Sequence, residues 1–87
     1  MPFIIQLDRS FEIKLQKLKK KDNSLYQRVI HKILEISKNP ESGKPFRNVL
    51  TGKLRVHVGS FVLIYSIEKK NMIVNFLELE HHDKVYR

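Results

Sequence analysis

The chain has 87 residues, no cysteine, and 17 Lys and Arg against 9 Asp and Glu, for a net charge of +8. That length predicts one domain, 1–87, with one core burying about 60–65% of the unfolded surface. Disulfides and thiolate zinc sites are excluded, and no apolar run approaches the ~18 residues of a membrane helix. The opening Met1-Pro2-Phe3-Ile4-Ile5 is too short and lacks the positive flank of a signal peptide, so a cytoplasmic, soluble protein is expected. The charge excess points to a polyanionic partner, either nucleic acid or an acidic protein segment. A membrane is not expected as a partner, because the most basic helix has no matching exposed apolar stripe.

Pro2 to Leu7 reads as a first strand ended by Asp8. Asp8 or Ser10 can cap a helix with Phe11, Leu15 and Leu18 at helical spacing and Lys14, Lys17, Lys19, Lys20 and Lys21 outward. Asp22-Asn23 breaks it. Ser24 and Gln27 have capping-box spacing, and a second helix places Leu25, Val29, Ile33 and Ile36 on one face until Pro40. Pro40 to Lys53, with two prolines and two glycines, reads as one long basic loop. Leu54, Val56 and Val58 then alternate with Arg55 and His57, which predicts a strand with an apolar and a cationic face. Gly59-Ser60 signals a tight hairpin, Phe61 to Ile67 a central strand apolar on both faces, Lys69-Lys70-Asn71 a turn, and Met72 to Leu79 the closing strand. The expected fold class is α/β (α+β), in the order β-α-α-β-β-β. The helix hairpin packs on one face of a mainly antiparallel sheet, leaving the other for Arg55, His57 and the tail.

The tail, His81-His82-Asp83-Lys84-Val85-Tyr86-Arg87, collects two imidazoles, a phenol and two cations. Such groups can move protons, stack, and hold phosphate. Successive side chains on a strand alternate, so if the strand continues through His81 and His82 at most one of them faces a given site, and His81-His82-Asp83 is a poor metal site. Lys44, Arg47 and Lys53 are generic phosphate contacts as a set. Lys19-Lys20-Lys21 reads as a solvated face and His31 as a surface or boundary residue. Tyr26 and Tyr65 are expected to pack with their hydroxyls in water.

Asn39-Pro40, Gly43, Lys44-Pro45, Leu50, Gly52, Leu54-Arg55-Val56, Val58-Gly59, Leu63-Ile64-Tyr65 and the closing Val85-Tyr86-Arg87 occur in this order along a short basic chain. In these features the sequence resembles the RelE/ParE superfamily of toxin–antitoxin toxins over essentially its whole length. The resemblance implies the RelE-like two-layer fold and a toxin held silent by a cognate antitoxin in a hetero-oligomeric complex, with operator DNA bound only through the antitoxin. In the RelE-like branch the toxin enters the ribosome and cuts messenger RNA by attack of the ribose 2′-hydroxyl, with no cofactor and no metal. In the ParE-like branch it poisons DNA gyrase. It further implies Tyr86, His82, Arg55 and His57 as catalytic residues, and Lys44, Arg47, Lys53 and Arg87 as RNA or phosphate contacts.

Two departures stand out. Val62 follows Phe61 where messenger-cutting relatives often carry Arg, and His81-His82 stands where the closing motif commonly reads His-Arg. The alternatives to a ribosome-dependent endoribonuclease are therefore a ParE-like gyrase inhibitor, or a catalytically weak homologue serving as an antitoxin- or RNA-binding module.

Overall fold

The computed structural model describes residues 2–46 and 51–85. β1 (Ile4–Leu7) leads into two helices, α1 (Arg9–Lys21) and α2 (Asn23–Lys38), separated by the single residue Asp22. Asp8 caps α1 by accepting from the Ser10 backbone N–H and hydroxyl. Asp22 serves both helices. Its backbone N–H closes α1 on the Leu18 carbonyl, and its carboxylate accepts from the Leu25 N–H to open α2. The expected Ser24–Gln27 capping box is therefore not the start of α2. The carboxylate two residues earlier already satisfies an orphan N–H, and Ser24 lies inside the first turn.

Beyond Asn39, the predicted long loop is partly ordered structure. A 3₁₀ turn at Pro40–Ser42 is followed by a short strand, β2 (Lys44–Pro45), antiparallel to β3 (Lys53–Val58). Sequence reading missed β2 because its two residues carry no alternation that could announce a strand. β3 turns at Gly59-Ser60 into β4 (Phe61–Glu68), with Val58 opposite Phe61 and Gly59 at φ +59. A 3₁₀ turn at Lys69–Asn71 and the left-handed Met72 lead to β5 (Ile73–His81), two residues longer at its end than expected. The sheet order is β1-β5-β4-β3-β2, with β1 parallel to β5 and the other pairs antiparallel. A mixed α+β chain with a helix hairpin on one sheet face matches the expected fold class.

Phe11, Leu15 and Leu18 of α1 and Val29, Ile33 and Ile36 of α2 bury against Val58, Leu63, Tyr65, Val74, Phe76 and Leu79 of the sheet. The Phe11 and Tyr65 rings each lie 5.6 Å from that of Phe76. Removal of so well enclosed an aromatic typically costs about 3–5 kcal/mol. β5 carries one extra residue, Leu77, between the pairs Tyr65↔Phe76 and Ile64↔Glu78. Its carbonyl accepts from the Ser10 hydroxyl at 3.3 Å. This bulge shifts the alternation by one, so Leu79 turns into the core and the next residues change sides.

Candidate functional site

On the face away from the helices, the sheet carries Lys53, Arg55 and His57 from β3 beside Val62 and Ile64 from β4. Lys44 of β2 stands directly opposite Arg55, hence on the same face. Because of the bulge, His81 follows the helix-side row. It pairs with Phe61, their rings 5.6 Å apart and edge-on, while its Nδ1 accepts from the Asp83 N–H. His82 then begins a four-residue helical turn, α3 (His82–Val85), with its own N–H donated to the Ser60 carbonyl at 2.7 Å. The turn folds across the open face. Val85 packs on a small apolar floor of Phe46, Val62 and Ile64, and the His82 ring comes to 5.4 Å from that of His57.

The strand ends at His81, so it is the bulge and the C-terminal turn, and not strand alternation through both residues, that part the two histidines and bring His82 to His57. The structure groups Lys44, Arg55, His57 and His82. Partial removal from water, and then the charges of Arg55, His82 and Lys44, push the His57 pKa below its ordinary 6.5. An imidazole in this setting is neutral at neutral pH and can accept a proton, while the cations around it suit an anion. Lys53 lies apart. It is four residues from His57, about 13 Å along an extended strand, and lines a separate hollow with Glu41, Pro45, Gly52, Leu54 and Lys69. Tyr86, Arg47 and Arg87 lie outside the described residues.

Two features of the site were not foreseen. Val62, which stands in place of a cation, is fully buried and forms the floor on which Val85 seats the C-terminal turn. The signal was present in Phe46 and Val85, apolar residues isolated within polar stretches. Tyr65, expected to keep a wet hydroxyl, is instead fully buried. Its hydroxyl donates to the Pro40 carbonyl at 2.7 Å and accepts from the Gly43 N–H at 3.0 Å. Burial raises its pKa, so the group stays a donor. A Cβ on Gly43 would stand 2.3 Å from that oxygen, so the close approach requires glycine. This clamp holds the segment that presents Lys44.

The family described as ParE toxin of type II toxin-antitoxin system, parDE, matches residues 5–86. The chain belongs to the RelE/ParE superfamily of toxins. A Methanocaldococcus jannaschii protein assigned as toxin RelE4 is 36% identical over 84 residues, covering 95% of this chain and 89% of its own. The RelBE2 toxin–antitoxin complex of Mycobacterium tuberculosis contains a chain of the same fold, with TM-score 0.77, 24% identity and coverage of 93% and 92%. The archaeal RelE–RelB complex of Pyrococcus horikoshii contains another, with TM-score 0.76, 20% identity and coverage of 94% and 97%. No described helix of this toxin is long and apolar enough to cross a membrane.

Proposed function

We propose that this toxin is a RelE-like, ribosome-dependent messenger endoribonuclease that inhibits translation and is neutralised by a cognate antitoxin. The observation that carries the reading is the His57–His82 pair, with rings 5.4 Å apart, set among Arg55 and Lys44. In this reading Lys44 and Arg55 hold the phosphate and offset the charge of the pentacoordinate transition state. His57, held neutral, accepts the proton of the ribose 2′-hydroxyl as that oxygen attacks the adjacent phosphorus. The bond from phosphorus to the 5′-oxygen breaks, and His82 or Tyr86 donates the proton that oxygen takes up. The products are a 2′,3′-cyclic phosphate and a free 5′-hydroxyl. The chemistry draws on side chains alone, and Tyr86 also offers a ring for base stacking.

The ParE-like reading has one observation in its favour. Val62 is buried and offers no cation where messenger-cutting relatives often have one. The two are separated by giving the free toxin programmed ribosomes and, in parallel, gyrase with relaxed plasmid. Cleavage of the messenger with supercoiling untouched is the expected result; inhibited supercoiling with intact messenger overturns it.

A further inference from the structure

β2 pairs only with Leu54 and Arg55, so among the described residues no strand flanks the Val56–Val58 end of β3 on that side. Along this margin runs a cleft of about 340 Å³ lined by Arg28, His31, Lys32, Glu35, His57 and Val58. Arg28, His31 and Lys32 stand at i, i+3 and i+4 and so share one face of α2. The Arg28 guanidinium reaches over the β3–β4 turn, where a Cβ built at Gly59 would lie 3.4 Å from it. Among the described lining residues the one carboxylate, Glu35, is engaged by Lys32 at 3.3 Å. His57 belongs both to this cleft and to the cluster with His82, Arg55 and Lys44. The two basic surfaces are therefore continuous round the margin of the sheet.

We propose that the cleft between α2 and β3 is a second phosphate-binding subsite, which holds the RNA backbone running on from the linkage at His57 and His82. The proposal rests on the RNA-cleaving reading and extends it to a path for the strand. Charge complementarity and the shared His57 argue for this occupant, since a polymer of phosphates held at one surface must leave across the other. Arg28 supplies a permanent forked donor and His31 a further nitrogen donor or acceptor, with the Lys32–Glu35 ion pair beside them.

The test measures binding of fluorescent 2′-O-methyl oligoribonucleotides, a trinucleotide and a decanucleotide, over a range of salt. The parent should bind the decanucleotide more tightly and with a steeper salt dependence. Arg28→Gln with His31→Gln should shrink this gain with length, by about 5-fold per lost phosphate contact at about 0.1 M salt, and flatten the slope by about 0.7 per contact. Arg28→Lys should restore most of the gain. His31→Gln alone, at an exposed position, gives a smaller loss in the same direction should the double variant fold poorly. A full gain with length in both Gln variants overturns the subsite while leaving the RNA reading intact; failure of the parent to bind either oligomer also overturns the subsite, whereas the RNA-cleaving reading falls only if messenger on programmed ribosomes stays uncut. If the double variant instead loses affinity only for an acidic peptide, the cleft takes a protein segment and the proposal is wrong.

Discussion

Partial removal from water, followed by the charges of Arg55, His82 and Lys44, disfavours a proton on His57. Its folded pKa lies below the ordinary 6.5, so the unfolded chain binds this proton more readily. The contribution to stability is thus full above pH 6.5 and is lost as pH falls through the folded value. Proton NMR should place the His57 midpoint below 6.5 and move it upward in Lys44→Gln and in His82→Gln. A midpoint at 6.5 that neither change moves would contradict the cluster. The buried hydroxyl of Tyr65 supports a second prediction at this scale. Tyr65→Phe strands the Gly43 N–H and the Pro40 carbonyl and should cost about 1–3 kcal/mol in denaturant unfolding. Gly43→Ala crowds the same oxygen and should cost a similar amount, about 1–3 kcal/mol. Together they should cost less than their sum, because removal of the oxygen makes room for the methyl. Strict additivity would show that the clamp is not a unit.

Elements were legible in the sequence wherever periodicity was strong. Phe11, Leu15 and Leu18 announced α1, and the alternation of Leu54 to Val58 announced the two faces of β3. Signals were lost where one residue does the work of a motif. Asp22 serves two helices at once, and Leu77 reverses the alternation of β5 without any mark in composition. The former gives a direct check: Asp22→Ala should destabilise by about 1 kcal/mol or more, whereas Ser24→Ala should be close to neutral. Equal losses would restore the capping box. The C-terminal turn offers another. Val85→Asn should release α3 from Phe46, Val62 and Ile64, with little effect on the main core, which lies on the far face of the sheet. On the proposed mechanism, a shift of His82 by an ångström should slow messenger cleavage by about 10²-fold. A parental rate in this variant would mean that the turn does not position the chemistry. Four of the expected site residues, Lys44, Arg55, His57 and His82, do come together. Sequence could not tell that Lys53 would lie at the other end of β3, because separation along a strand counts only once the ligand's position is known.

At the scale of the whole molecule, the net charge of +8 includes a lysine-rich α1 and basic residues of α2 and of the open face of the sheet. An acidic antitoxin should therefore associate quickly at low salt and more slowly as salt rises, with the change seen mainly in the association rate. A salt-independent rate, measured by stopped-flow, would assign the recognition to apolar contacts. The central claim concerns the pair of imidazoles brought together by the β5 bulge and the C-terminal turn. Its most direct test is single-turnover cleavage of messenger on programmed ribosomes across pH, for the parent toxin, His57→Gln and His82→Gln. The account predicts that each substitution slows the cut by about 10²–10⁴-fold. His57→Gln should also remove the limb of the pH–rate profile that lies below 6.5. Cleavage at the parental rate with an unchanged profile in both variants would contradict it.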